Sequence, residues 1–87
     1  MNTINNNITA RSAITRDEQI VALKATAKEY HSVSSVTATR THVIVVMDNT
    51  TEAGELVTLI RHNGWWNATM SSGQLSQKWF VRVLLND

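Results

Sequence analysis

The sequence contains no cysteine and no proline, and only 3 glycines in 87 residues. Without cysteine the chain forms no disulfide, no thiolate metal site and no thiol nucleophile, which is typical of proteins from a reducing compartment. The glycines stand far apart, at positions 54, 64 and 73, so no glycine-rich phosphate-binding loop is present. These absences remove several enzyme classes and favour a cytoplasmic protein.

Charge is also scarce, since 17% of the residues are charged and the formal net charge is +1. A protein that coats phosphate backbones usually carries a stronger positive field. No apolar stretch approaches the ~18–20 residues of a membrane span. The first residues carry neither the basic nor the apolar region of a secretory signal. We therefore expect a cytoplasmic domain without membrane association.

No arrangement of side chains in the sequence indicates catalysis or metal binding. His31, His42 and His62 are scattered, and a zinc site without cysteine would need ligands from distant positions. The segment 71–73, Ser-Ser-Gly, lacks the strand-to-helix context of a nucleophile elbow. Asp48 ends an apolar run and is interpreted as turn chemistry before a helix. We predict no enzyme, no cofactor and no metal.

The two halves of the chain repeat the same order of signals. Residues 15–49 and 51–86 match at an offset of 36 positions, from Thr15 to Thr51. Such an echo is typical of paired supersecondary units that bury their apolar faces against each other. Two unrelated helix-then-strand halves share that rhythm as well, so the echo predicts architecture and leaves common descent open.

The first half predicts a polar tail and then a helix. Residues 1–14 are rich in asparagine and are expected to be flexible, or alternatively to add an edge strand, so the single domain is expected over residues 15–87. Thr15 and Glu18 have the spacing of a capping box, which predicts a helix start. The helix is expected to end at His31. Its expected buried face comprises Ile20, Leu23, Ala27 and Tyr30.

Strands and a second helix are predicted to follow. The β-branched content of residues 33–47 indicates two strands with a turn near residues 39–41, the second strand being apolar on both faces and hence central. The polar turn after it precedes a helix, for which Thr51 is the expected N-cap. Gly64 is the expected left-handed residue that ends this helix.

The last third of the chain predicts two more strands and completes the fold. Residues 65–71 and 78–85 alternate like strands. The predicted architecture is an α+β two-layer sandwich of order αββαββ, with a mostly antiparallel sheet of about four strands and both helices on one face. The alternative is a winged-helix-like unit in which the last two strands form the wing.

Alternation along these strands predicts an uncovered sheet face with aromatic and basic side chains. Consecutive residues point to opposite faces, so one of Trp65 and Trp66, and one of Trp79 and Phe80, must leave the core. We assign Trp66 and Trp79 to the core and Leu84 to the uncovered face. The predicted partner-binding residues on that face are Trp65, Asn67, Thr69, Lys78, Phe80 and Arg82.

Such a face has three interpretations. Tryptophan and arginine are frequent hot-spot residues of protein interfaces, and the same side chains also stack single-stranded bases and contact phosphates. In the third interpretation, neighbouring loops or the N-terminal tail cover the face, which then has only a structural role.

We predict a non-enzymatic protein-binding domain that acts stoichiometrically as an adaptor or inhibitor of an unidentified partner protein, with homodimerisation through the sheet as a variant. Compact accessory proteins of viruses and mobile elements that block host enzymes share this style. The alternatives are a single-stranded nucleic-acid-binding domain and a structural homo-oligomer subunit.

Overall fold

A computed structural model describes residues 15–73 and 78–85. It confirms the predicted α+β fold, with two helices, four strands and the order αββαββ. The expected tail, residues 1–14, lies outside the described residues. The elements in chain order are α1 (Arg16–Ala27), β1 (Val33–Ala38), β2 (His42–Met47), α2 (Thr50–His62), β3 (Thr69–Ser72) and β4 (Trp79–Leu84).

The four strands form one antiparallel sheet in the order β1-β2-β4-β3. Strand β2 is central, as its apolar character on both faces predicted. Each half of the chain contributes one helix and one pair of strands, and β2 and β4 join the halves in the middle of the sheet. Strands β1 and β3 are the edges.

The capping box of α1 is present as predicted. The Thr15 hydroxyl accepts from the Glu18 amide at 3.1 Å, and the Glu18 carboxylate accepts from the Thr15 amide at 2.9 Å. The helix ends at Ala27, earlier than the expected His31. The amide of Tyr30 bonds back only three residues, to the Ala27 carbonyl, so a turn replaces the last helical turn. Tyr30 still packs against the core.

Helix α2 begins two residues earlier than expected. Asn49, not Thr51, is the N-cap, and its side chain accepts from the Glu52 amide at 2.9 Å. Gly64 has φ 108°, the left-handed conformation that was predicted for it. Its amide bonds to the Arg61 carbonyl, and the next amide, from Trp65, bonds to the Ile60 carbonyl. This pair of bonds is the Schellman motif, which satisfies carbonyls left free at a helix end.

Both helices pack on the same face of the sheet and enclose the core. Strands β2 and β4 supply the sheet side of it with Val43, Val45, Met47, Val81 and Val83, all fully buried. Burial of these apolar side chains is the main favourable term in folding. The helices and the chain after α2 supply Ala22, Leu23, Ala27, Ala53, Leu56, Val57, Ile60, Trp65 and Ala68.

Candidate functional site

The two neighbouring tryptophans differ in exposure, but in the opposite sense to the one predicted. Trp65 is 2% exposed and lies in the core, whereas Trp66 is 73% exposed. The assignment of Trp65 to the partner-binding surface is therefore wrong. Residues 65–68 form a turn, closed by the Ala68 amide on the Trp65 carbonyl at 3.2 Å, and β3 starts only at Thr69. Strand alternation does not apply within a turn, so both Trp65 and Ala68 point inward.

A signal in the sequence could have found this arrangement. In a Schellman motif the second residue after the helix cap commonly packs against the last helical turn. Gly64 was correctly predicted to adopt the left-handed conformation, so the same motif places the following residue, Trp65, against Ile60. Both side chains belong to the core cluster. The buried indole Nε1 has no hydrogen-bond partner among the described residues.

The sheet face away from the helices forms the candidate site, which we call the open face. The strand register places Val46 beside Phe80, Ile44 beside Arg82, and Thr69 beside Arg82. Within the part of the chain that the structure describes, none of its side chains is buried. Thr69, Phe80 and Arg82 therefore share one face as predicted. The open face comprises Ser35, Thr37, His42, Ile44, Val46, Thr69, Ser71, Phe80, Arg82 and Leu84.

The centre of the open face is apolar. Ile44, Val46 and Phe80 lie half-buried on the two central strands. Gly73 lies under the Phe80 ring, because a Cβ atom there would come within 3.0 Å of Phe80 Cε2. Ile44 and Val46 were not among the predicted site residues, although the apolar character of β2 on both faces was the signal for them.

One end of the open face carries a closed ion pair. Lys78 Nζ bonds to Asp48 Oδ1 and lies 3.2 Å from Ser34 Oγ, which itself donates to Asp48 Oδ1 at 3.3 Å. The hydrogen bond from Lys78 is the main cause that lowers the pKa of Asp48 below its ordinary value. The predicted site residue Lys78 is thus at the rim of the open face, with its charge compensated.

The other end of the open face carries a small polar hollow of about 210 Å³. Arg82 Nη2 lies 3.5 Å from His42 Nε2, and His42 Nδ1 lies 2.7 Å from Thr41 Oγ1. Asn67, exposed on the turn before β3, lines this hollow, so it joins Thr69 and Arg82 as predicted. We call this site the Arg82 hollow; its lining residues are His42, Asn67, Thr69, Arg82 and Leu84.

A metal cluster and a membrane-spanning helix are both absent from residues 15–73 and 78–85. No three or more His, Asp or Glu side chains are grouped there to hold a metal ion. No helix in that part of the chain is long and apolar enough to cross a membrane. No protein-family model, curated protein or solved structure matches the chain.

Proposed function

We propose that this chain is a small, non-enzymatic protein-binding domain that acts stoichiometrically, as an adaptor or inhibitor, by placing its open face against a partner protein. The apolar centre of that face, with Ile44, Val46 and Phe80 half-buried on the middle strands, is the observation that carries the proposal. Along a strand of an antiparallel sheet, apolar side chains on the core face normally alternate with polar side chains on the solvent face. An apolar centre with a polar rim is instead the usual anatomy of a protein interface.

A single-stranded nucleic acid is the second candidate, because Phe80 and Arg82 lie on the same face and such pairs stack bases and contact phosphates. The charges favour a protein. Lys78 is paired with Asp48, which leaves Arg82 as the open-face cation without an acidic partner among the described residues. Binding along a phosphate backbone uses a row of cations, and the whole chain has a formal net charge of +1.

The test is capture of a partner by the immobilised full chain from its native host. The double variant Val46→Ser and Phe80→Ser removes the apolar centre and should abolish capture. The matched control is Val21→Ser, which changes another apolar side chain, 63% exposed on α1. It should capture the partner as the wild type does. Circular dichroism of each variant checks that the fold is retained.

Four outcomes separate the candidates. Capture that persists through nuclease treatment and moderate salt supports a protein partner, and capture lost on nuclease treatment supports the nucleic-acid alternative. Capture unaffected by the double variant would show that another surface is used. A homodimer that the double variant dissociates, seen by sedimentation velocity, would support the structural homo-oligomer.

The proposal places this interaction in the cytoplasm, since a chain without cysteine suits a reducing compartment. The identity of the captured protein would also test the prediction of a viral or mobile-element accessory protein that blocks a host enzyme.

A further inference from the structure

We infer that the Arg82 hollow is a carboxylate-binding site, and that the partner fills it with an aspartate or glutamate side chain next to an apolar contact segment. The second part rests on the proposed function. The first part concerns the hollow alone and is testable without any partner.

The position of the hollow follows from the strand register and from the turn that buries Trp65. The register places Arg82 beside Thr69 and Leu84 beside His42, across three strands of the sheet. The turn before β3 adds Asn67, and the guanidinium of Arg61 holds this turn by donating from Nε to the Ala68 carbonyl at 2.8 Å.

The volume of the hollow suits one small group. It encloses about 210 Å³, whereas sites for drug-sized ligands and cofactors span roughly 300–1,000 Å³. Its lining is mostly polar, with Leu84 as an apolar wall. A single planar anion fits this size and lining better than a cofactor does.

The hydrogen-bonding groups of the hollow point to an anion. A guanidinium only donates, so the 3.5 Å contact from Arg82 Nη2 makes His42 Nε2 the acceptor, at the outer limit of a hydrogen bond. No carboxylate contacts Arg82 among the described residues. The Asn67 amide and the Thr69 hydroxyl add neutral donors. A guanidinium fork matches a carboxylate with two parallel hydrogen bonds.

Arg82 differs from Lys78 in having no acidic partner among the described residues, so it is the cation available to bind a partner's carboxylate. Lys78 directly precedes β4 at the rim of the open face, and Arg82 lies within β4. Asp48 neutralises Lys78 within the chain, whereas Arg82 presents an unmatched charge beside the apolar centre. Charge complementarity therefore favours a partner with one carboxylate next to apolar side chains. A nucleic acid would present repeated phosphates, for which a single unmatched cation is a poor fit.

The first experiment titrates sodium acetate, at constant ionic strength with chloride, into the ¹⁵N-labelled full chain and follows it by NMR. Saturable shifts should appear at the Arg82 Nε–H and the Asn67 side-chain amide. Arg82→Gln should weaken acetate binding by about tenfold or more, since a hydrogen bond to a charged group is lost. The matched control Lys78→Gln removes the other open-face cation and should change binding by less than about twofold.

The second experiment measures the captured partner with the same two variants. Arg82→Gln should weaken its binding by about tenfold, and Lys78→Gln should have little effect. If acetate binds in the hollow but Arg82→Gln leaves the partner's affinity unchanged, the assignment of a partner carboxylate is overturned. The proposed function would then still stand on its own readout, the loss of capture with Val46→Ser and Phe80→Ser.

Three results of the titration would overturn the site itself. The first is the absence of saturable shifts in the wild type, and the second is an equal effect of the two glutamine variants. The third is tighter binding of inorganic phosphate or a thymidine oligonucleotide than of acetate, with a steep salt dependence, which would indicate a phosphate site instead. Circular dichroism of Arg82→Gln checks the fold, which an exposed strand residue is expected to leave intact.

Discussion

The two faces of β2 carry similar apolar side chains but differ in burial. On β2, Val43, Val45 and Met47 are fully buried under the helices, whereas Ile44 and Val46, between them in sequence, are only half-buried on the open face. The strand itself does not distinguish its two faces. The two helices cover one face, and within the described residues nothing covers the other. The apolar character of a strand thus predicts its place within the sheet, and the helices decide which side becomes core.

The largest expected difference in the free energy of unfolding is between variants of the two neighbouring tryptophans. Trp65→Ala should destabilise the fold by about 3–5 kcal/mol, because it leaves a cavity where the largest buried side chain was. Trp66→Ala should change stability by less than about 0.5 kcal/mol, since its side chain is exposed. Urea unfolding measures both. Equal losses would contradict the burial of Trp65 alone.

A finer comparison uses neighbouring residues of one strand with the same side chain. Val45→Ala should cost about 2 kcal/mol, because Val45 is 1% exposed and its methyl groups fill the core. Val46→Ala should cost less than about 1 kcal/mol, as its side chain is only half-buried. Capture of the partner should instead be weakened more by Val46→Ala than by Val45→Ala. A larger stability loss at Val46 would indicate that the open face is covered.

N-caps stabilise the two helices that cover the buried face of the sheet. Thr15→Ala should cost about 1 kcal/mol through the loss of its capping bond, and Asn49→Ala a similar amount. Thr51→Ala is the matched control within the first turn of α2 and should change stability by less than about 0.5 kcal/mol. Thermal unfolding of the three variants would show whether Asn49 or Thr51 starts α2.

The smallest expected effect is a pH dependence at the closed end of the open face. Hydrogen bonding to Lys78 lowers the pKa of Asp48 in the folded state. Asp48 therefore adds stability above its unfolded pKa of about 4, and this contribution is lost as the pH falls through the folded pKa. Urea unfolding between pH 7 and pH 3 should show a smaller pH-dependent loss for Asp48→Asn than for the wild type. Identical profiles would mean that the ion pair contributes nothing in solution.

Glu52 is a second carboxylate in this pH range, because hydrogen bonds from Ser32 lower its pKa as well. Glu52→Gln is therefore measured beside Asp48→Asn, so that the two contributions are separated.

Local signals in the sequence predicted much of the fold. The capping box at Thr15 and the left-handed Gly64 depend on contacts within a few residues, so the sequence alone specifies them. The central place of β2 follows from its composition. On β4, strict alternation correctly placed Phe80 and Arg82 on one side of the sheet.

The wrong prediction for Trp65 arose because a turn, not a strand, follows α2. The sequence suggested a strand from Trp65, and alternation then assigned that residue to the wrong face. The turn over residues 65–68 resets the alternation, which resumes only at Thr69. The Arg82 hollow could not be predicted from the sequence either. It joins His42 and Asn67, which are distant in the chain and come together only when β2, β4 and the turn before β3 assemble. The pairing of Lys78 with Asp48 depends on the same assembly.

The turn between α2 and β3 also determines where the chain tolerates a change in length. An extra residue beside the exposed Trp66 would lie ahead of β3, so we expect the turn between the buried Trp65 and Ala68 to lengthen while the pairing of β3 with β4 is kept. An extra residue directly after Phe80 would instead shift the rest of β4 by one position, which turns Arg82 and Leu84 towards the helices and Val81 and Val83 to the open face. We therefore expect an insertion in the turn before β3 to cost less than one in β4, where a single extra residue turns part of the open face inward.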